Sequence, residues 1–519
     1  MRGERGGFGV VGGAIGAGVV AREMVGAAAV TASAEQLRRI GEREEARMNG
    51  HDGGWGHGSV NVAPLRVVRS RRGVSLVGPI PLSTLWPVTN LTLLAAWSAI
   101  GLGAAATDGS YSLGSVTVLA VGVLFVVVAV GRSRRPAGDE HGALSGSTLA
   151  AAAAVAAAAV LPAGIYGSGP ALYLSRSLTV VAALGVLTWL VLRLPGARTF
   201  AYVVVGVMAA AGVALLISSR HPTIDTWVML QAATHGLSHG HDIYTVRFTT
   251  HYVNRVSNHF TYLPGSAVAL WPFNAVLGDV RYGLLAAMVL TALILIRLSR
   301  SSDGALVASL FVLYPRLLFG LEQSWADPLS LLGLCVTGWA VVRNRRGWAM
   351  VAFAFVLVCK PYNWMLLPLA ALWKDFGWRR SAASAGGALA FMSPWMAANF
   401  HAFVSGAITL NLDLPLRLDS DSLYTTIVLH GHNPGAWLPA VVVLVAIAVA
   451  AWRLRRDAFG FFTGAALAVA CFDLFDRLSF FNEWEFAAGL VLAAVIFGQV
   501  STTVREPTEA RTGVVAVGV

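Results

Sequence analysis

Long apolar runs separated by short, mostly basic turns fill the chain from Leu85 to Gln499. About fourteen of these runs read as long enough to cross a ~30 Å hydrocarbon core. The pattern predicts an all-α fold, a polytopic transmembrane helical bundle of about fourteen spans. One interval breaks the rhythm. From Ser219 to Tyr262 the chain reads SRHPTIDTWVMLQAATHGLSHGHDIYTVRFTTHYVNRVSNHFTY, much longer and more polar than the other turns. A polar insertion of this length is functional or disordered, and its interleaved Ile, Trp, Tyr and Phe argue against disorder.

Basic residues set the expected topology, because cytosolic loops carry the excess of Arg and Lys. The clusters are the run before the first span, Arg132 with Arg134 and Arg135, Arg193 with Arg198, Arg297 with Arg300, Arg343 with Arg345 and Arg346, Lys374 with Arg379 and Arg380, and Arg453 with Arg455 and Arg456. If the apolar piece Leu263 to Leu277 crossed the membrane, every later cluster would be inverted. It is therefore expected to lie in the interface or to re-enter, which extends the outer loop over 219–279 with Arg281 opening the next span. The remaining exterior loops are then Leu321 to Asp327, a tight Lys360 to Asn363 turn, His401 to Gly435, and Asp473 to Glu485. His221, His235, His239, His241, His251, His259, His401, His430 and His432 gather on that one side. Residues 1–80, rich in Gly, Ala and Arg, read as a disordered cytosolic tail in which Met48 could be the true start, and 501–519 as a second cytosolic tail.

Composition sharpens this picture. With 56% hydrophobic and 13% charged residues among 519, the chain departs from a soluble globular balance. The net charge of +11 sits in the inter-span turns, so it reports topology and gives no reason to invoke nucleic acid. Cys335, Cys359 and Cys471 lack metal-ligand spacing. Lysine occurs only at Lys360 and Lys374, so a cation at another position is an Arg.

Against that background a few polar residues stand out. Asp225, in HPTIDTWVMLQ, follows the end of a span closely. It is either a carboxylate placed at the lipid–water boundary to deprotonate an acceptor hydroxyl or an acid favoured in the first turn of a helix by the exposed amides. Lys360, in VLVCKPYNWMLLPL, is costly at a membrane boundary unless paired or near water. It reads as a point charge for the phosphate of a lipid-linked donor, or else as a snorkelling helix-end cation. Glu322, Trp325 and Asp327, in LEQSWADPL, could bind an acceptor sugar or a divalent cation, and Asp327 before Pro328 could equally cap a helix. His235, His239 and His241 with Asp242 invite a metal reading, which Gly236 and Gly240 weaken by breaking the helix that would align them; no metal site is assigned. The loop from Ile408 to Tyr424 is placed to cover a site, and Asp473, Asp476, Glu483 and Glu485 read as a solvated acidic rim.

The order of these features is familiar: an outer-loop IDTW, a stretch ending in HGHDIY, then FTYLPG before an interfacial apolar piece, then GDVRYG opening a span. It resembles the GT-C superfamily of membrane glycosyltransferases over roughly residues 200–373. The nearest look is to glycosyltransferase family 87, the polyprenyl-phosphate-mannose-dependent α-mannosyltransferases. Where that family tends to have tyrosine, two prolines and a hydrophobic residue, this chain has Tyr262, Leu263, Pro264 and Gly265. The resemblance implies that Asp225 is the general base and that Leu263 to Leu277 is a membrane-parallel helix.

The resulting expectation is a GT-C-like bundle with interfacial helices in a long outer loop. Accessory spans would occupy 81–198, the catalytic core 199–400, and an outer loop with further spans 401–500. The protein would lie in the cell membrane with cytosolic termini and an outer-face active site. It would transfer a sugar, mannose or another hexose or pentose, from a polyprenyl phosphate to a glycolipid or cell-envelope glycan. Lys360 and Arg281 would hold the donor phosphate, and Glu322, Trp325, Asp327, Asp242, Tyr244 and Tyr262 the sugars. No cofactor is expected beyond a possible role for a divalent cation. The rival is a secondary transporter or lipid flippase, which should show paired repeats with midplane ionisable residues.

Overall fold

The computed structural model describes residues 69–70, 73–74, 88–107, 109–133, 164–192, 194–248 and 259–501. The chain divides into two units, 1–80 and 81–519. In the first, a two-residue ladder pairs β1 (Arg69–Ser70) with β2 (Gly73–Val74). Apart from β1, β2 and Ser501, the expected tails lie outside the described residues, as do the span expected between Arg135 and Gly164 and Arg134, Arg135, Arg193 and His251.

The second unit is helical. Among the described residues, seven helices are long and apolar enough to cross a membrane: α1 (Val88–Ala106), α2 (Leu113–Arg132), α3 (Gly169–Leu192), α4 (Ala197–Ser218), α7 (Arg281–Leu298), α18 (Ala458–Phe475) and α19 (Phe481–Ser501). Three shorter apolar helices, α10 (Asp327–Val342), α11 (Arg346–Leu357) and α17 (Leu438–Arg453), fall below the ~20 residues a straight span needs. These helices do not establish a count of about fourteen. One reason is visible between Ser302 and Glu322. There an apolar run breaks into α8 (Ser302–Ser309), irregular turns and α9 (Leu317–Glu322). Pro315 cannot continue a helix, and Arg316 adopts a left-handed φ of 63°. Similarly, residues 361–372 form a 3₁₀ turn (Pro361–Leu366) and a short α12 (Leu367–Leu372). Broken helices survive at membrane depth where protein covers them, and residues 304–323 are buried throughout.

At the centre lies α19, packed by α1, α10 and α18. Without a hydrophobic drive between helices in lipid, close approach depends on small residues. Gly489 of α19 meets the Leu331 side chain of α10 so closely that a Cβ would collide with it, and Phe462 stacks on Phe497 at 4.4 Å between α18 and α19. The pair α1–α2, expected as an accessory, packs directly on α19 and α18, while α3 packs on α4 and keeps much of its surface exposed.

Hydrogen bonds sort the connections into two ends. At the basic end, Arg198 donates to the Ser299 carbonyl at 2.7 Å, and the Lys374 amide to the Arg456 carbonyl at 2.9 Å. At the other end, Arg281 reaches the Ser219 carbonyl at 2.8 Å. The chain therefore leaves α4 and enters α7 on the same side. Between them α5 (Asp225–Ser238) and α6 (Pro264–Leu277) form an antiparallel pair, zipped by Gln231 to the Gly278 carbonyl at 3.0 Å, Asn274 to Thr234 at 2.7 Å and Trp271 to Ser238 at 2.8 Å. Trp227, Gln231, Thr234 and Ser238 repeat at helical spacing, so α5 presents one polar-tipped face to α6. Gly236 lies inside α5, so the helix is not broken there as expected; it ends at Ser238, and Gly240 follows with φ 69°.

Candidate functional site

The exterior loops expected to share one side are bonded to one another. Lys360 meets Asp327, and Asn482 donates to the same carboxylate at 3.0 Å. The Thr226 hydroxyl donates to the Gln323 carbonyl, Asn411 to the Thr261 carbonyl at 3.0 Å, and the Asp421 amide to the Ser479 carbonyl at 2.8 Å.

The floor of the site is built from Lys360. Its extended backbone is held by the start of α6. The Leu263 amide donates to the Cys359 carbonyl at 3.2 Å, the Gly265 amide to the Val358 carbonyl at 2.8 Å, and the Ser266 hydroxyl to Cys359 at 2.7 Å. Two of these contacts explain Leu263 and Gly265. A proline at 263 would have no amide to donate, and a Cβ at 265 would lie 2.6 Å from the Val358 carbonyl oxygen. The Lys360 ammonium is 2.6 Å from Asp327 Oδ2 and lies over the rings of Tyr262 and Tyr362, at 5.1 and 5.2 Å. Tyr362 also donates to Asp327 Oδ1. Burial pushes the ammonium toward its neutral form, but Asp327, with Tyr262 and Glu483 adding to it, more than reverses this and holds Lys360 above the ordinary lysine range. Lys360 is thus already paired and buried, and does not stand free for a phosphate.

Asp225 opens α5 and accepts the Thr226 amide at 2.8 Å. It is half-buried. Burial raises its pKa above the usual carboxylate value, with the Thr226 amide and then Arg417 opposing. Trp227 and Met229 dock α5 onto protein: Trp227 donates to Asp279 at 3.3 Å, and Met229 Sδ is 3.4 Å from the Thr261 amide. Tyr262 joins the two halves. Half-buried, it is held above the ordinary phenol range by burial, with Lys360 opposing and Asp327, Glu483 and Asp225 adding to it.

Other expected residues hold the frame. Arg281, expected at the donor phosphate, is 0% exposed and donates to Asp279 at 2.5 Å and to Ser219. Asp279 captures it, and its bonds to Ser219 tie α4 to α7. Glu322, expected on an open turn, is buried and accepts the Ile165 and Tyr166 amides at 2.6 and 3.1 Å. It anchors the approach to α3 and is not open to an acceptor. Tyr244 is buried, donates to the Tyr262 carbonyl at 2.9 Å, and so positions Tyr262. Asp242 accepts the Tyr244 amide at 3.1 Å, and Trp325 stacks on Phe481 at 6.0 Å. The rings of His235, His239 and His241 are neighbours, at 4.4 and 6.1 Å. Among the described residues, no group of three His, Cys, Asp or Glu is placed to hold a metal ion.

Three features were missed. Asp473 and Glu485, read as solvated rim, are 1% and 5% exposed. Their helix ends turn inward toward Lys360 and Asp327. Arg417, exposed, pairs with Asp419 at 2.5 Å, covers Phe480 at 4.5 Å, and acts electrostatically on Asp225. Its segment is stitched to the α1–α2 turn by the Ser110–Ser420 bridge and by Asp421, which accepts from Ser115 at 2.5 Å.

Comparisons with family models, with curated proteins and with solved structures find no match.

Proposed function

We propose that the chain is an integral-membrane glycosyltransferase of the GT-C type, moving a sugar from a polyprenyl phosphate to a hydroxyl of a glycolipid or cell-envelope glycan on the outer face. The observation that carries this reading is Asp225, a half-buried carboxylate that accepts the Thr226 amide. It begins a helix docked at the end of the bundle where Tyr262, Lys360 and Asp327 gather.

In the proposed reaction Asp225 takes the proton of the acceptor hydroxyl. The acceptor oxygen bonds to the anomeric carbon, and the bond from that carbon to the phosphate oxygen breaks. The phosphate leaves with the electron pair. Arg417, an exposed cation within electrostatic reach of Asp225 that also pairs with Asp419, would meet this phosphate. Lys360 neutralises the Asp327 carboxylate beside Tyr262.

The test is purified protein in liposomes given radiolabelled polyprenyl phosphate sugars and a panel of lipid and glycan acceptors. Transfer from at least one donor supports the reading, and no transfer across the panel counts against it. A second reading, an ion-coupled transporter or flippase, draws on the buried Asp473 and Glu485. They lie at helix ends beside Asp327, away from any midplane, which favours a site at one face.

A further inference from the structure

The segment over residues 417–422 is tied down on two sides. Toward α1 and α2, the Tyr111 amide donates to the Asp419 carbonyl at 2.9 Å, and Asp421 Oδ2 lies 2.5 Å from Ser115 Oγ. Toward α19, the Asp421 amide donates to the Ser479 carbonyl at 2.8 Å, the Ser479 amide to Ser420 Oγ at 2.7 Å, and the Trp484 indole to the Asp421 carbonyl at 3.3 Å. Arg417 stands three residues before Ser420 and is carried by this tie.

An ionised Asp421 leaves this tie one proton short. Ser115 Oγ lies 2.8 Å from the Gly103 carbonyl as well as 2.5 Å from Asp421 Oδ2. A hydroxyl has one proton to give, so with Asp421 ionised one of the two contacts sets acceptor against acceptor. With Asp421 protonated, its carboxyl donates to Ser115, Ser115 donates to Gly103, and both contacts are bonds. Local sequence builds the chain: Ser112 caps α2 by accepting the Ser115 amide at 3.0 Å, and a Cβ at Gly103 would lie 2.8 Å from Leu119 of α2.

The surroundings also favour the proton. Asp421 is 0% exposed, and its Oδ1 has no partner. A buried charge without a counter-charge is costly. The charged groups of the neighbouring elements are engaged elsewhere: Arg417 with Asp419, Arg477 with Asp476 and the Asn411 and Leu412 carbonyls, and Glu483 with Asn482 and the Phe480 amide. Asp473 and Glu485 act on Tyr314, Tyr424 donates to Asn433, and Tyr111 enters through its amide. Burial accordingly pushes the Asp421 carboxyl up to about 7.

We infer that Asp421, Ser115 and the Gly103 carbonyl form a proton-operated latch, which holds the 417–422 segment while the carboxyl keeps its proton and loosens it when the proton is lost. A freed carboxyl titrates near 4, so the hold weakens as pH rises from about 4 to about 7 and is constant above. The latch stands without the proposed transferase activity. Only its consequence, that the loosened segment takes Arg417 from the site, rests on that reading.

The test is amide hydrogen exchange over 410–424 in the full chain in nanodiscs, read by mass spectrometry and corrected for the intrinsic pH dependence of exchange. Protection should fall by up to about tenfold per pH unit between about pH 5 and pH 7 and level off above. Asp421→Asn, whose amide can donate to Ser115 without titrating, should keep the acid-side protection at every pH. Asp413→Asn, at an exposed acid of the same stretch, should keep the parental pH dependence. Infrared absorption gives a second measurement on the parent: the carbonyl band of a protonated carboxyl should disappear as pH rises through about 7, and Ser115→Ala should shift that band by removing its bond. Three results would overturn the inference: protection in the parent that does not change with pH; a decline that persists in Asp421→Asn; or a decline lost equally in Asp413→Asn, which makes the effect one of general charge.

Discussion

Lys360 Nζ lies 2.6 Å from Asp327 Oδ2, and the two side chains are 3% and 2% exposed. A pair this buried gains little over an apolar pair of the same shape, but breaking it strands a charge and costs about 3–5 kcal/mol. Lys360→Ala should therefore lower the thermal midpoint in detergent strongly. Lys360→Ala combined with Asp327→Ala should recover much of the loss. A single variant as stable as its parent would mean that the pair does not organise the site.

The base is predicted to show in the pH profile. Transfer requires ionised Asp225, so activity should fall as pH is lowered through a pKa that burial has raised. Arg417 opposes that rise, so Arg417→Gln should move the midpoint to higher pH. A midpoint unchanged, or moved down, would remove Arg417 from the site.

Asp421 gives a stability prediction of its own. Burial pushes its carboxyl up to about 7, with Ser115 opposing. The folded protein then holds a proton that the unfolded chain releases near pH 4, so this contribution is present below pH ~4 and is lost as pH rises through ~7. Asp421→Asn, neutral throughout, should be more stable than the parent at pH 8, by at most about 4 kcal/mol. The difference should shrink toward pH 4, and equal pH dependence in the two proteins would contradict this assignment.

The Arg281 to Ser219 contact predicts that residues 219–279 begin and end on one face. Cysteines at exposed Arg220 and Leu277 should react together with an impermeant thiol reagent from the same side. Labelling of the two from opposite sides would mean that α6 crosses.

How much of this was legible in the sequence follows from what each signal depends on. The return of the chain between Ser219 and Arg281 could be read, because basic turns set topology independently of packing. The gathering of the polar loops could be read for the same reason. That Lys360 needed a partner was evident from its setting. The partner was not, since Asp327 lies 33 residues away and pairing at that range is a property of the tertiary fold. Hydropathy likewise cannot separate a span from a broken, buried segment of equal length, so the run ending at Pro315 and Arg316 read as a helix. Asp473 and Glu485 look like surface acids because nothing local reports that their helix ends face inward.

The most direct measurement of the central claim is transfer by Asp225→Asn beside the parent protein, in liposomes with a radiolabelled polyprenyl phosphate sugar. Asparagine keeps the shape but cannot accept the proton, and a general base typically contributes about 10²–10⁴-fold in rate. The variant should insert, melt and bind donor like the parent while losing at least about a hundredfold in transfer. Transfer near the parental rate would contradict the account.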